Sequence, residues 1–113
     1  MVSRSISIDS FRRLYQRRPG LFMIDVRNPA EYDSGHLRGA RSYPLPALDP
    51  QQIAADWRQS GLDEPVYVLC QAGMRAQIAA QLLVSAANLA VMVVEGGANA
   101  CIQCGLPMQQ GQA

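Results

Sequence analysis

The residues best equipped for chemistry in this 113-residue chain are Cys70-Gln71-Ala72-Gly73-Met74-Arg75. The apolar run Val66–Leu69 predicts a strand before them, and Met74 to Ala87 predicts a helix after them. A cysteine in such a turn faces successive backbone N–H groups and the positive end of the following helix dipole. Both favour the thiolate, which is the nucleophilic form. Gly73 can take the backbone angles that a cradle of this kind needs. Arg75 adds a fixed positive charge, and its planar guanidinium can tie loop carbonyls or neighbouring carboxylates into one shape. The competing reading makes Cys70 a small hydrophobe ending a strand. The glycine and arginine that follow it favour the nucleophile.

Positioning that cysteine requires a sheet, and the rest of the chain alternates strand and helix. Ile6–Ile8 is a short candidate strand, and Asp9 or Ser10 can cap a helix running to about Arg17. After the Pro19-Gly20 turn, Leu21–Val26 is apolar apart from Asp25, which suits a strand buried on both faces. Asn28-Pro29-Ala30-Glu31 predicts a helix start with Asn as N-cap, proline at the first helical position and Glu three residues after the cap. That helix should stop at Gly35. Ala40–Tyr43 is a further brief strand, and Asp49-Pro50 opens a helix through about Gln59. A strand from Leu89 or Ala90 to Val94 follows the helix after Cys70. Gly96-Gly97 then begins a last short helix that Gly105 and Pro107 stop. The tail after Met108 is expected to carry no structure.

This alternation predicts an α/β fold with a mainly parallel sheet covered on both faces. In such sheets ligands bind beyond the carboxyl ends of the strands. Three strand ends deliver Asp25 and Arg27, Cys70, and Glu95 with Gly96-Gly97 to that edge. The length suits one domain spanning 1–113, with its core at about 6–108.

Composition narrows the partners. Apolar residues make up 49% of the chain and charged ones 17%, a globular balance rather than a disordered one. A net charge of +1 offers no pull toward nucleic acid or an anionic membrane. The most apolar stretch, Ile78 to Val94, carries a polar stripe with Gln77, Gln81, Ser85 and Asn88, so it reads as an amphipathic helix entering a strand rather than a membrane span. Three cysteines at irregular spacing do not form a disulfide framework, and they point to a reducing cytoplasm.

Three groups of residues resemble the signatures of the rhodanese family. Asp25-Val26-Arg27 with Glu31-Tyr32, Gly35-His36-Leu37 and Gly39-Ala40 is similar to its amino-terminal signature. Cys70 to Arg75 resembles its active-site loop, and Glu95-Gly96-Gly97 with Gly105-Leu106-Pro107 its carboxy-terminal one. Four residues separate Cys70 from Arg75; this is the sulfurtransferase loop length, whereas related phosphatases have one more. The resemblance implies a three-layer fold with about five strands and helices on both faces. It further implies that Cys70 cycles between thiolate and persulfide, taking sulfur from thiosulfate or a persulfide and passing it to a thiol or another nucleophile. No cofactor and no metal is implied, since the cysteine itself is the carrier.

The resemblance also distributes supporting roles. Cys70 and Arg75 would be catalytic, while Gln71, Ala72, Gly73 and Met74 would form the substrate-binding loop. Arg27 would face an anionic donor or, in the structural alternative, pair with Glu31. Asp25 would fix loop amides or Arg27, and Glu95 would hydrogen-bond to its turn. His36 belongs to a structural turn, and Tyr32 to packing. Cys101-Ile102-Gln103-Cys104 departs from the pattern, because the family often places Trp near Cys101; two small helix residues is the expected reading, with a resolving thiol as the alternative. The partners implied are a small sulfur donor and a thiol acceptor, which includes protein thiols. A regulatory or interaction module is the second functional class, and retention of Cys70 and Arg75 argues against it. A phosphatase or arsenate reductase is the third, disfavoured by the short loop.

Overall fold

The computed structural model describes residues 3–18, 20–71 and 74–111. A five-stranded parallel sheet forms its centre, from β1 (Ser3–Ile6), β2 (Met23–Asp25), β4 (Arg41–Ser42), β5 (Val66–Leu69) and β6 (Val91–Val94), in the order β1-β6-β5-β2-β4. Five α-helices accompany it among the described residues: α1 (Ile8–Arg17), α2 (Pro29–Ser34), α3 (Pro50–Ser60), α4 (Met74–Ala87) and α5 (Gly97–Gln103).

Alternation along the strands sorts the core into two halves. Ile24, Val66, Val68, Val91 and Val93 point to one face, where Ile53 and Ala54 of α3 and Ala76, Ala79, Ala80 and Leu83 of α4 cover them. Met23, Tyr67, Leu69 and Val94 point to the other, against Phe11 and Tyr15 of α1 and Cys101 of α5. Strands buried on both faces are what the near-continuous apolar runs at Leu21–Val26 and Val66–Leu69 require.

Most helix starts follow the expected chemistry. Asn28 and Glu31 form a full capping box, with Pro29 at the first helical position. Asp49 accepts from the amides of Gln51 and Gln52. Two expectations at the amino terminus are corrected. The first strand is Ser3–Ile6 rather than Ile6–Ile8, and the cap of α1 is Ser7, whose hydroxyl accepts from the amide of Ser10, rather than Asp9 or Ser10. Parallel pairing of Ile6 with Val94 ends the strand there and leaves Ser7 free to cap.

A third correction concerns the carboxy-terminal tail. Met108–Gln109 forms β7, pairing antiparallel with β3 (His36–Leu37). Arg38 extends this contact by donating its amide to the carbonyl of Pro107 at 3.0 Å. Backbone groups there are satisfied by partners distant in the chain, and so short a strand leaves no hydropathy pattern.

Candidate active site

Pairing across the sheet aligns the strand ends that carry the candidate residues. Asp25 of β2 stands beside Leu69 of β5, and Val68 beside Val93 of β6. Cys70 therefore leaves β5 next to the segment that bears Arg27, and next to the turn that starts α5. It is buried at 1% exposure and packs with the α3–α4 half of the core. Ala72 and Gly73 lie outside the described residues; Gln71 and Met74 on either side of them are exposed.

The loop is held from below by α5. Ala98 donates its amide to the carbonyl of Cys70 at 2.7 Å, and Asn99 donates to that of Gln71 at 3.2 Å. Those amides belong to the first turn of α5, where no intrahelical acceptor exists. Gly97 makes the approach possible. A Cβ there would stand 2.2 Å from the Cys70 carbonyl oxygen, and its φ of +55° lies in the left-handed region. Sequence reasoning placed Gly96-Gly97 at this edge but missed that they carry the floor of the cysteine loop. The signal was present: two successive glycines between a buried strand and a helix mark a close backbone approach.

Arg75 fastens the loop from the side. Its Nη1 and Nη2 donate to Oε1 and Oε2 of Glu31 at 2.7 and 3.0 Å, a fork-to-fork pair. This is the neighbouring-carboxylate alternative, and it ties the start of α4 to the start of α2. Glu31 also accepts from the amide of Asn28 at 3.1 Å, so one carboxylate serves both the helix cap and the arginine. Arg75 holds the Glu31 carboxyl down at about 2, the strongest of several causes. The Arg75 pKa rises in turn, chiefly through that hydrogen bond, with Cys70 and Asp25 adding smaller attraction.

Arg27 takes one of the two partners open to it. It pairs with Asp25 rather than with Glu31: Nε lies 3.0 and 3.1 Å from the two carboxylate oxygens, and Nη2 lies 2.7 Å from Oδ2. The Arg27 amide donates to the same carboxylate at 3.0 Å, and Nη2 donates also to the carbonyl of Gly35 at 2.7 Å. Arg27 and Asp25 are 6% and 1% exposed. Only two residues apart at the strand end, they fold back on each other, and Glu31 is left to Arg75. The expectation that Asp25 fixes Arg27 therefore matches the geometry.

Three other expectations meet the structure here. The Glu95 side chain is exposed, with no hydrogen-bond partner among the described residues, so the expected bond to its turn is absent; its amide instead pairs with the carbonyl of Ile6. His36 is buried, stacks on Tyr32 with ring centres 3.6 Å apart, and bonds through Nδ1 to the Tyr32 carbonyl at 2.8 Å. Its role is structural, as expected, but it sits in strand β3 rather than in a turn. Cys101 lies in the α1–α5 half of the core, and burial pushes its thiol up to about 12. No group of three or more His, Cys, Asp or Glu residues among the described residues could hold a metal.

Comparison with known proteins gives the site its context. The chain is 34% identical over 82 residues to an uncharacterized protein, YqhL, of Bacillus subtilis, covering 73% of this chain and 59% of that one. It is equally similar over 82 residues to the thiosulfate sulfurtransferase GlpE of Pseudomonas putida, of which it covers 70%. Among solved structures, a rhodanese-like domain from the Anabaena protein Alr3790 superposes with a TM-score of 0.75 at 25% identity, covering 98% of this chain and 82% of that one. The family model of the rhodanese-like domain matches residues 7–104, from the cap of α1 through the end of α5. The cysteine loop, the arginine that braces it and the glycine turn beneath it all fall within that span, and the chain belongs to the rhodanese-like family.

Proposed function

We propose that this protein is a sulfurtransferase that carries sulfane sulfur as a persulfide on Cys70. The observation that supports this most is the bracing of one buried cysteine from two sides, by the α5 amides below and by the Arg75–Glu31 pair beside it. A site that must stabilise charge on sulfur benefits from groups fixed before the reaction, because no reorganisation is then needed. The Pseudomonas relative, a thiosulfate sulfurtransferase, agrees in kind.

In the proposed cycle the Cys70 thiolate attacks the outer sulfur of thiosulfate or of a low-molecular-weight persulfide. The S–S bond of the donor breaks, and its electron pair leaves with sulfite or with the donor thiolate. The terminal sulfur then passes to a thiol or to cyanide, returning the Cys70 thiolate. Arg75 would keep the loop in shape, with Glu31 fixing Arg75. Gln71, Ala72, Gly73 and Met74 would surround the incoming sulfur. Arg27 would act through the fold, since Nε and Nη2 are already held by Asp25 and Gly35. The cysteine is itself the carrier, so the reading requires no cofactor. It places the protein in the reducing cytoplasm, where a free cysteine is kept from forming disulfides; no helix among the described residues is long and apolar enough to cross a membrane.

Thiocyanate formation from thiosulfate and cyanide, measured beside hydrolysis of a phosphate monoester, tests the assignment. Sulfur transfer should dominate by orders of magnitude and vanish in Cys70→Ser. Phosphatase activity of comparable rate, or full activity in the variant, would overturn it.

A further inference from the structure

Four large apolar side chains are exposed among the described residues, and three of them, Met74, Ile78 and Leu82, lie on α4, at 81%, 49% and 41% exposure. Spaced four apart, they fall within about 80° of one another around the helix and run about 12 Å along it. The remaining exposed positions of α4 are Gln77, Gln81, Ser85 and Ala86. None of these seven residues is charged. The helix has one ionisable side chain, Arg75, and it is paired with Glu31. Solvent-facing helix surfaces are ordinarily rich in charge; a face depleted of it around apolar residues has the composition of an interface centre.

The stripe begins at the cysteine loop, because Met74 is both its first member and the first residue of α4. Cys70 is itself almost wholly buried, so an acceptor must come into close contact with the surface around the loop to reach it. Charge and area then narrow the occupant. Anionic membrane surfaces and nucleic acids are met with Lys and Arg, and the exposed positions of α4 carry neither. A lasting dimer needs about 800 Å² from each partner, far more than three partly exposed side chains provide. A contact this small and neutral fits a short encounter with an apolar, uncharged surface.

We propose that the exposed face of α4 docks a protein acceptor whose reactive cysteine sits within apolar, uncharged surface. The proposal rests on the reading of Cys70 as a sulfur carrier. In the docked pair the acceptor thiolate attacks the terminal sulfur of the Cys70 persulfide. A new S–S bond forms on the acceptor, the S–S bond at Cys70 breaks, and its electron pair stays on the Cys70 sulfur. No net oxidation occurs, and no third reactant is needed.

The test loads the full chain with sulfur from thiosulfate, removes the excess, and follows loss of the persulfide by intact mass. The acceptors are a peptide with one cysteine flanked by leucines, the same peptide with aspartates in place of the leucines, and glutathione. The wild type should favour the leucine peptide over the aspartate peptide by about tenfold, as burial of one or two apolar side chains implies. In Ile78→Gln/Leu82→Gln that preference should fall to about twofold or less, while loading and transfer to glutathione stay close to wild type. If the double variant fails to fold, Leu82→Gln alone should lower the preference by about threefold. Equal rates with both peptides in the wild type, or a preference that survives the substitutions, would overturn the docking face. A wild-type dimer lost in the double variant would assign the stripe to a second copy and overturn it as well. Failure of the wild type to load at all would instead strike the reading of Cys70 on which the proposal rests.

Discussion

Gly97 and Cys70 are in contact through their backbones, so closely that a methyl group on Gly97 would stand 2.2 Å from the Cys70 carbonyl oxygen. Neither partner can yield cheaply, because the carbonyl also accepts the Ala98 amide at 2.7 Å. Gly97→Ala should therefore displace the cysteine loop or the start of α5. We expect sulfur transfer to fall at least about tenfold, with stability reduced by about 1–3 kcal/mol from the strained φ. Gly20→Ala, in a turn with open space around it, should leave both near wild type. Enzyme assays and urea unfolding of the two variants check this, and an unaffected Gly97→Ala would show that the contact does not hold the loop.

The Asp25–Arg27 pair gives a second prediction. Removing one partner of a buried pair leaves the other charge uncompensated, at a cost of about 3–5 kcal/mol. Arg27→Ala should lose stability on that scale and lose transfer from every donor alike, rather than weaken thiosulfate alone. Replacing both residues with apolar ones of similar volume should recover much of the stability. Denaturant midpoints for the single and double variants decide it: a stable Arg27→Ala protein with a defect confined to anionic donors would assign Arg27 to donor binding instead.

The Glu31–Arg75 pair predicts a pH dependence. The Glu31 carboxyl ionises near 4.5 in an unfolded chain and near 2 in the folded one. Below pH 4.5 the unfolded state therefore binds a proton that the folded state does not. The stabilisation is complete above that pH and is lost as pH falls toward 2. Both side chains are partly exposed to solvent, which limits the effect to about 1 kcal/mol. Glu31→Gln should lower stability at neutral pH by about that much and flatten the acid limb between pH 4.5 and 2. It should also slow transfer by releasing Arg75. Urea titrations across that range, with rates at neutral pH, test both parts.

Cys101 is buried with its thiol pushed up to about 12, so it stays protonated at neutral pH and is a poor nucleophile. Iodoacetamide should leave it unmodified in the folded protein. Cys101→Ala should keep sulfur transfer while losing on the order of 1 kcal/mol through the small cavity left. Loss of transfer in that variant would establish Cys101 as a resolving thiol.

Much of this arrangement was legible in the sequence because it is local. Asn28 through Glu31 announced a capping box, Val66–Leu69 a buried strand, and the Cys70 to Arg75 spacing a loop between strand and helix. What was not legible is nonlocal. That Arg75 reaches Glu31, 44 residues away, depends on β2 lying beside β5. Gln109 finds His36 only after the chain has passed around the sheet, and two-residue strands carry no periodicity to betray them. Arg27 was open to two partners, Asp25 and Glu31, and only the turn after β2 decided between them.

Intact mass of the full chain after incubation with thiosulfate tests the central claim most directly. The wild type should gain the mass of one sulfur atom, lose it on addition of cyanide with release of thiocyanate, and do neither when Cys70 is replaced by Ser. The same adduct on Cys70→Ser, or no adduct on the wild type, would contradict the assignment of Cys70 as the sulfur carrier.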